Sequence, residues 1–390
     1  MPVEVVTRRE TMARMLGAAG AGALGIRLSD AQGVGAPVGD GAQLTELGMK
    51  LSAEQRAAGA GLLQHHASID IHSHPGRFFL KGVIDPSPTT RAFGEPFEAA
   101  AISDLNAGNV SAALFSAVAD MRLLEMTPAQ GLHAARDFQP GEAYADYRRQ
   151  LAELKVLAAS PGLGLALTPA DIVTAHAQHK TAAVFAVEGG DFIEADLDRV
   201  HEAFHDGVRA ITLVHYHVNQ IGDIQTEAPV HHGLTALGKS IVAEMNKAGI
   251  LVDLAHATFG VTKDVLEVSA KPVLVSHTNL ITPATSHPRL ISREHAKLVA
   301  AAGGIIGSWP SGVGQTTFAD YIDSILRLID AVQIDHVAIG TDMDANYKPV
   351  LRSYRDWSLI PAALLARGLR EDDVAKVMGA NFLRVFKAVR

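Results

Sequence analysis

Ser68-Ile69-Asp70-Ile71-His72-Ser73-His74-Pro75-Gly76 is a short apolar strand that runs into two histidines and breaks at Pro-Gly. On a strand, residues two apart share a side. His72 and His74 can therefore aim two imidazoles at one point, as a metal ion requires. For an isolated His-x-His, two hydrogen-bonded histidines at a strand end are the stronger reading. The balance shifts because further apolar runs end in the same way.

Working outward, residues 110–116, 182–187, 209–214, 250–255, 272–276, 304–308 and 336–340 are apolar runs of strand length. Helical patterns over 42–63, 97–105, 120–157, 192–206, 234–248, 258–268, 292–302, 317–331 and 371–386 separate most of them. One more helix starts at Thr168-Pro169-Ala170-Asp171, with a cap, a proline at the first position and an acid at the third. Residues 76–95 form a long loop over the first strand end. Strands buried on both faces give unbroken apolar runs. Eight of them alternating with helices predict a (β/α)8 TIM barrel with loop insertions, a single domain over 42–390. A doubly wound open sheet is the alternative. No Gly-x-Gly-x-x-Gly follows a strand, so nothing supports dinucleotide binding.

Composition narrows the chemistry. The 390 residues are 48% hydrophobic and 19% charged, an ordinary globular balance. A net charge of -8 without a long basic run argues against nucleic acid as a partner. Cysteine is absent, which excludes disulfides, thiolate nucleophiles and cysteine metal sites. Any metal must be held by His, Asp and Glu, which suits zinc or a similar borderline ion.

Near the start, Arg8-Arg9 precedes a mildly apolar run from Met15 to Ile26. This looks like a twin-arginine export signal, although Thr11 stands where a large apolar residue is usual. The run is too short to span a bilayer comfortably. Residues 1–41 then read as signal-like segment and linker, and the mature protein as periplasmic or secreted without a membrane span. Were the segment a plain extension, the protein would be cytoplasmic.

In barrels the chemistry sits at the C-terminal strand ends. The residues found there are His72 and His74, Glu188, His215, His256, His277 and Asp342. Six of the eight runs end in His, Glu or Asp, whereas strand ends met at random would mix in Ser, Thr, Asn and Lys. A shared metal site is the better reading.

These stretches resemble the membrane (renal) dipeptidase family of the amidohydrolase superfamily. The resemblance rests on the His72 strand, Val187-Glu188-Gly189-Gly190, Thr212-Leu213-Val214-His215, Val252-Asp253-Leu254-Ala255-His256, Val275-Ser276-His277, His287-Pro288-Arg289, Ile339-Gly340-Thr341-Asp342-Met343-Asp344 and Asn381-Phe382-Leu383-Arg384-Val385-Phe386, in the family's order over roughly 65–389. It implies a zinc-dependent dipeptidase with a binuclear site. His72 and His74 would bind one zinc, Glu188 would bridge, and His256 and His277 would bind the second. Water between the metals would be the nucleophile. His215 would steady the tetrahedral oxygen and Arg289 the substrate carboxylate. Asp342 would pass a proton from water to the leaving amine, with Asp344 the alternative if the phase is off. The resemblance also admits a homodimer.

One departure matters. The family usually has His-x-Asp where this chain has His72-Ser73-His74. The swap removes a negative charge and opens two alternatives, a single-metal enzyme and a diverged amidohydrolase acting on another amide, an N-acyl amino acid or a lactone. Independent of the swap, a third alternative is a metal-binding exported protein without catalysis.

Overall fold

The computed structural model describes residues 48–390. The twin-arginine stretch and the start of the helix expected over 42–63 lie outside the described residues. Among those described, no helix is long and apolar enough to cross a membrane.

The apolar runs form eight strands: β1 Ile69–Ser73, β2 Ala112–Val118, β3 Thr181–Glu188, β4 Val208–Thr212, β5 Leu251–Asp253, β6 Leu274–Thr278, β7 Ile305–Ser308 and β8 Val337–Ile339. Each pairs in parallel with the next, and β8 returns to β1. The sheet is therefore a closed barrel and not an open doubly wound sheet. A short extra strand, Leu163–Leu165, lies beside β3. The seams differ in length. β2 and β3 share seven Cα pairs, from Ala112↔Ala182 to Val118↔Glu188. β1 meets β8 at the single pair Asp70↔Ile339, and β5 meets β6 only at Asp253↔Leu274.

Alternation within each strand feeds two cores. Ile69, Ile71, Leu114, Val184, Leu251 and Ile305 form one cluster with Phe382, Val385 and Phe386 of the helix Asn381–Val389. The intervening Phe115, Phe185, Val187, Val252, Val275 and Ile306 join the surrounding helices in the other. The first cluster fills the ring, and the last helix closes one end of it. Both strand faces are dry, which is why the runs read as unbroken.

Helix starts follow local chemistry. Thr168 and Thr317 make capping boxes with Asp171 and Asp320, and the Ser292 hydroxyl accepts from the His295 amide. Residues 120–157 depart from expectation. Only Glu142–Ala158 is α-helical; before it come a single 3-10 turn, Met121–Leu123, and a hairpin in which Leu124–Thr127 pairs with Gly131–Ala134. Gly131, at φ 70, takes the left-handed turn that ends any helix there. The loop 76–95 holds a helical turn, Pro75–Leu80, and a short helix, Pro88–Ala92. The last helix begins at Glu371 and passes through one wide turn, Lys376–Ala380, beside the start of β1. A Cβ on Gly379 would lie 2.2 Å from the Ala67 carbonyl oxygen there.

Candidate metal centre

Glu188, the last residue of β3, is 2% exposed and is surrounded by imidazoles. Its Oε1 lies 3.3 Å from His72 Nε2, 3.1 Å from His256 Nε2 and 3.5 Å from His277 Nε2. Its Oε2 lies 3.4 Å from both His74 Nε2 and His215 Nε2. His74 Nε2 also faces Asp342 Oδ1 at 3.3 Å. The structure thus brings together the strand-end residues singled out by sequence. Ligand-type atoms of His72, His74 and Glu188, and of Glu188, His256 and His277, each converge within 4.8 Å.

The backbone bends to achieve this. His256 and Asp342 take left-handed conformations, with φ of 66° and 56°. Such a conformation costs a non-glycine residue about 1–2 kcal/mol, a strain that concentrates at working sites. Asp70, fully buried, anchors the bend after β8 by accepting from the Thr341 amide at 2.9 Å and the Tyr354 hydroxyl at 2.8 Å.

Charge and tautomer suit a cation. Burial opposes ionisation of Glu188, but His215, His72 and His256 hold its carboxyl well below the usual range. Burial keeps His256 and His277 well below the ordinary imidazole value, aided by Arg289 at His256 and by His72 at His277. Both are then neutral, the form that ligates. Burial works against protonated His74, but Asp342 and Glu188 outweigh it and raise the ring to about 10. At neutral pH the His74 ring therefore holds an extra proton toward Glu188 and Asp342, the place a cation would take. The buried His72 Nε2 has no hydrogen-bond partner. With the His74 proton displaced, four imidazoles and a carboxylate, one ring nitrogen orphaned and aimed at the carboxylate, fit a borderline divalent metal.

The remaining predicted residues flank this cluster. Arg289 is 1% exposed, so it is not a solvated loop arginine. It donates to Gln225 Oε1 at 2.7 Å and to His256 Nε2 at 3.0 Å, with its guanidinium 5.4 Å from the Trp309 ring. Asp344 turns elsewhere, accepting from the Gly76 amide at 2.7 Å. Asp342 is the aspartate that faces the cluster.

Sequence reasoning missed the supporting groups. Asp120, fully buried just past β2, holds His215 Nδ1 at 2.7 Å and accepts from the Tyr216 amide at 2.9 Å. It follows an apolar run directly, the same strand-end signal, but was absorbed into an expected helix. Tyr216 packs its ring 5.1 Å from that of His256. A pocket of about 560 Å³ opens over the loops, lined in part by Arg136, Asp137, His217, Gln220, Glu227 and His231.

A profile of membrane dipeptidases, peptidase family M19, matches residues 58–390. The chain belongs to the membrane dipeptidase family. Dipeptidase verJ of Clonostachys rogersoniana is 29% identical over 297 residues, 73% of this chain and 74% of that protein. Among solved structures, dipeptidase AC of family M19 superposes with a TM-score of 0.71 at 20% identity, covering 83% of this chain and 98% of that one. A metallo peptidase from Rhodobacter sphaeroides, bound to a phosphinate mimic of the dipeptide L-Ala-D-Ala, gives 0.70 at 19%, covering 83% and 99%. These two share the barrel. As an M19 dipeptidase relative, the chain is a metal-dependent hydrolase.

Proposed function

We propose that this family member is a zinc dipeptidase whose two metals are held by His72, His74, Glu188, His256 and His277. The observation that carries the reading is Glu188, a buried carboxylate with five imidazoles from four strand ends around its two oxygens. A carboxylate shared between two cations offsets their repulsion. When bound, the metals supply Lewis acidity toward the scissile carbonyl and acidify water.

The side chains do the rest. Arg289 takes the C-terminal carboxylate of the dipeptide through its planar fork. His215, braced by Asp120, donates from Nε2 to the carbonyl oxygen as charge builds there. Asp342 accepts a proton from the attacking water and returns it to the amine nitrogen as the C–N bond breaks. One water is consumed and two amino acids leave.

Residues 1–41 act in this reading as export signal and linker, and 42–390 as the catalytic domain, working in the periplasm or outside the cell. The loops around the 560 Å³ pocket set side-chain preference. His74, in place of the usual aspartate, supports a second reading in which N-acyl amino acids or lactones are the better substrates.

Metal analysis together with a panel of dipeptides, N-acyl amino acids and lactones tests both. Two zinc ions and dipeptide turnover support the first reading. Turnover of the other esters and amides alone supports the second. A folded, metal-free and inert protein sinks both.

A further inference from the structure

Ser276 stands between two of these ligands. Its hydroxyl oxygen is 3.2 Å from Nδ1 of His72 and 3.1 Å from Nδ1 of His277. The two rings come from different strands, β1 and β6, and lie with centroids 4.0 Å apart. Neither Nδ1 has another hydrogen-bond partner among the described residues.

The placement is built and not incidental. Ser276 is fully buried, and its amide donates to Asp253 Oδ1 at 2.9 Å. Its carbonyl oxygen occupies room left by two glycines, Gly307 of β7 and Gly340 just past β8. A Cβ on either Gly307 or Gly340 would come within 1.8 Å of it.

A hydroxyl has one hydrogen and two acceptor lone pairs. An imidazole that gives its Nε2 lone pair to a cation must carry its proton on Nδ1. Two such rings need two acceptors, and the Ser276 oxygen can accept from both. Were the hydroxyl to donate to one ring, the proton of that ring would sit on Nε2 and block ligation.

We infer that Ser276 is a shared positioning residue: one hydroxyl fixes the tautomers of His72 and His277 together and sets the affinity of both metals at once. This rests on the metal-centre reading above, in which the two histidines serve different metals.

Zinc titration of the metal-free protein against a competing chelator tests it, with circular dichroism checking the fold of each variant. For Ser276→Ala, both binding events are expected to weaken by about 10- to 100-fold, the usual cost of losing an outer partner. Ser276→Thr keeps the hydroxyl and should stay within a few-fold of wild type. If alanine does not fold, Ser276→Val, the shape of threonine without its hydroxyl, should show the same double loss. Unchanged affinity in the alanine or valine variant, weakening of one event alone, or equal loss in the threonine variant overturns the inference. A wild type that takes up no zinc removes the metal-centre reading itself, and this inference with it.

Discussion

The Nδ1 atom of His74 lies 2.7 Å from the main-chain carbonyl oxygen of Ser116. A carbonyl only accepts, so Nδ1 carries the hydrogen. In the neutral ring, the Nε2 lone pair then points toward Glu188 and Asp342. His74 is thereby oriented as a ligand would be, despite replacing an aspartate. His74→Ala should lower bound zinc from two ions to one. Dipeptide turnover should fall by more than the about 10- to 100-fold typical of outer-shell losses. His74→Asp should retain both ions. Elemental analysis beside a dipeptidase assay reads all three proteins, and undiminished metal in the alanine variant would remove His74 from the ligand set.

Asp120 is expected to matter through His215. Its carboxylate holds Nδ1 at 2.7 Å. Asp120→Ala frees the ring to rotate and leaves the Tyr216 amide unpaired. Losing a hydrogen bond to a charged group costs about 1.5–3 kcal/mol. On that basis kcat should drop about 10- to 100-fold, with zinc content intact. Steady-state kinetics with metal analysis separates this from loss of the centre.

Arg289 makes a prediction about substrate chemistry. Wild-type enzyme should strongly prefer a dipeptide with a free C-terminal carboxylate over its C-terminal amide. Arg289→Lys keeps the charge but loses the planar fork. Its kcat/KM on the free acid should fall about 10- to 100-fold, while turnover of the amide changes little. If acid and amide fall in parallel, Arg289 serves the fold or the His256 ring and not the carboxylate.

Acid should destabilise the barrel partly through His295, which packs against Phe259 and belongs to no part of the cluster around Glu188. Burial lowers its imidazole to about 4, and it is paired with the Thr262 hydroxyl at 2.8 Å. The unfolded chain therefore binds the proton first as pH drops. The contribution of His295 is fully present above about 6.5 and is lost between there and about 4. The full loss is about 3 kcal/mol. Denaturant midpoints at pH 7 and pH 4.5 should differ less in His295→Gln than in wild type. An identical pH dependence would assign the acid sensitivity elsewhere.

Much of this was readable in the chain. The two-faced burial of β3 is written as the unbroken run Ala182 to Val187, and its turn into the cluster as Glu188. Thr168 and Ser292 announce their helices within three residues. What stayed hidden joins distant parts of the chain. Asp120 and His215 are 95 residues apart, and Ser276 and His72 are 204 apart. No local period encodes such contacts. The hairpin of Leu124–Thr127 and Gly131–Ala134 was concealed for a related reason. Its residues suit a helix as well as a strand, and Gly131 alone marks the turn.

The uneven seams of the barrel carry a last consequence. The two shortest strand seams, β1 to β8 and β5 to β6, are where the Asp342 amide donates to the His72 carbonyl and where His256 Nε2 lies 3.1 Å from His277 Nε2. The proposed centre therefore clasps the ring where it is most able to breathe. Amide hydrogens of β1, β5, β6 and β8 should exchange more slowly once zinc is added. The seven-pair ladder between β2 and β3 should hardly respond. In this view the ions that serve chemistry also act as rivets, and a cell short of zinc would lose the enzyme to proteolysis as well as to inactivity.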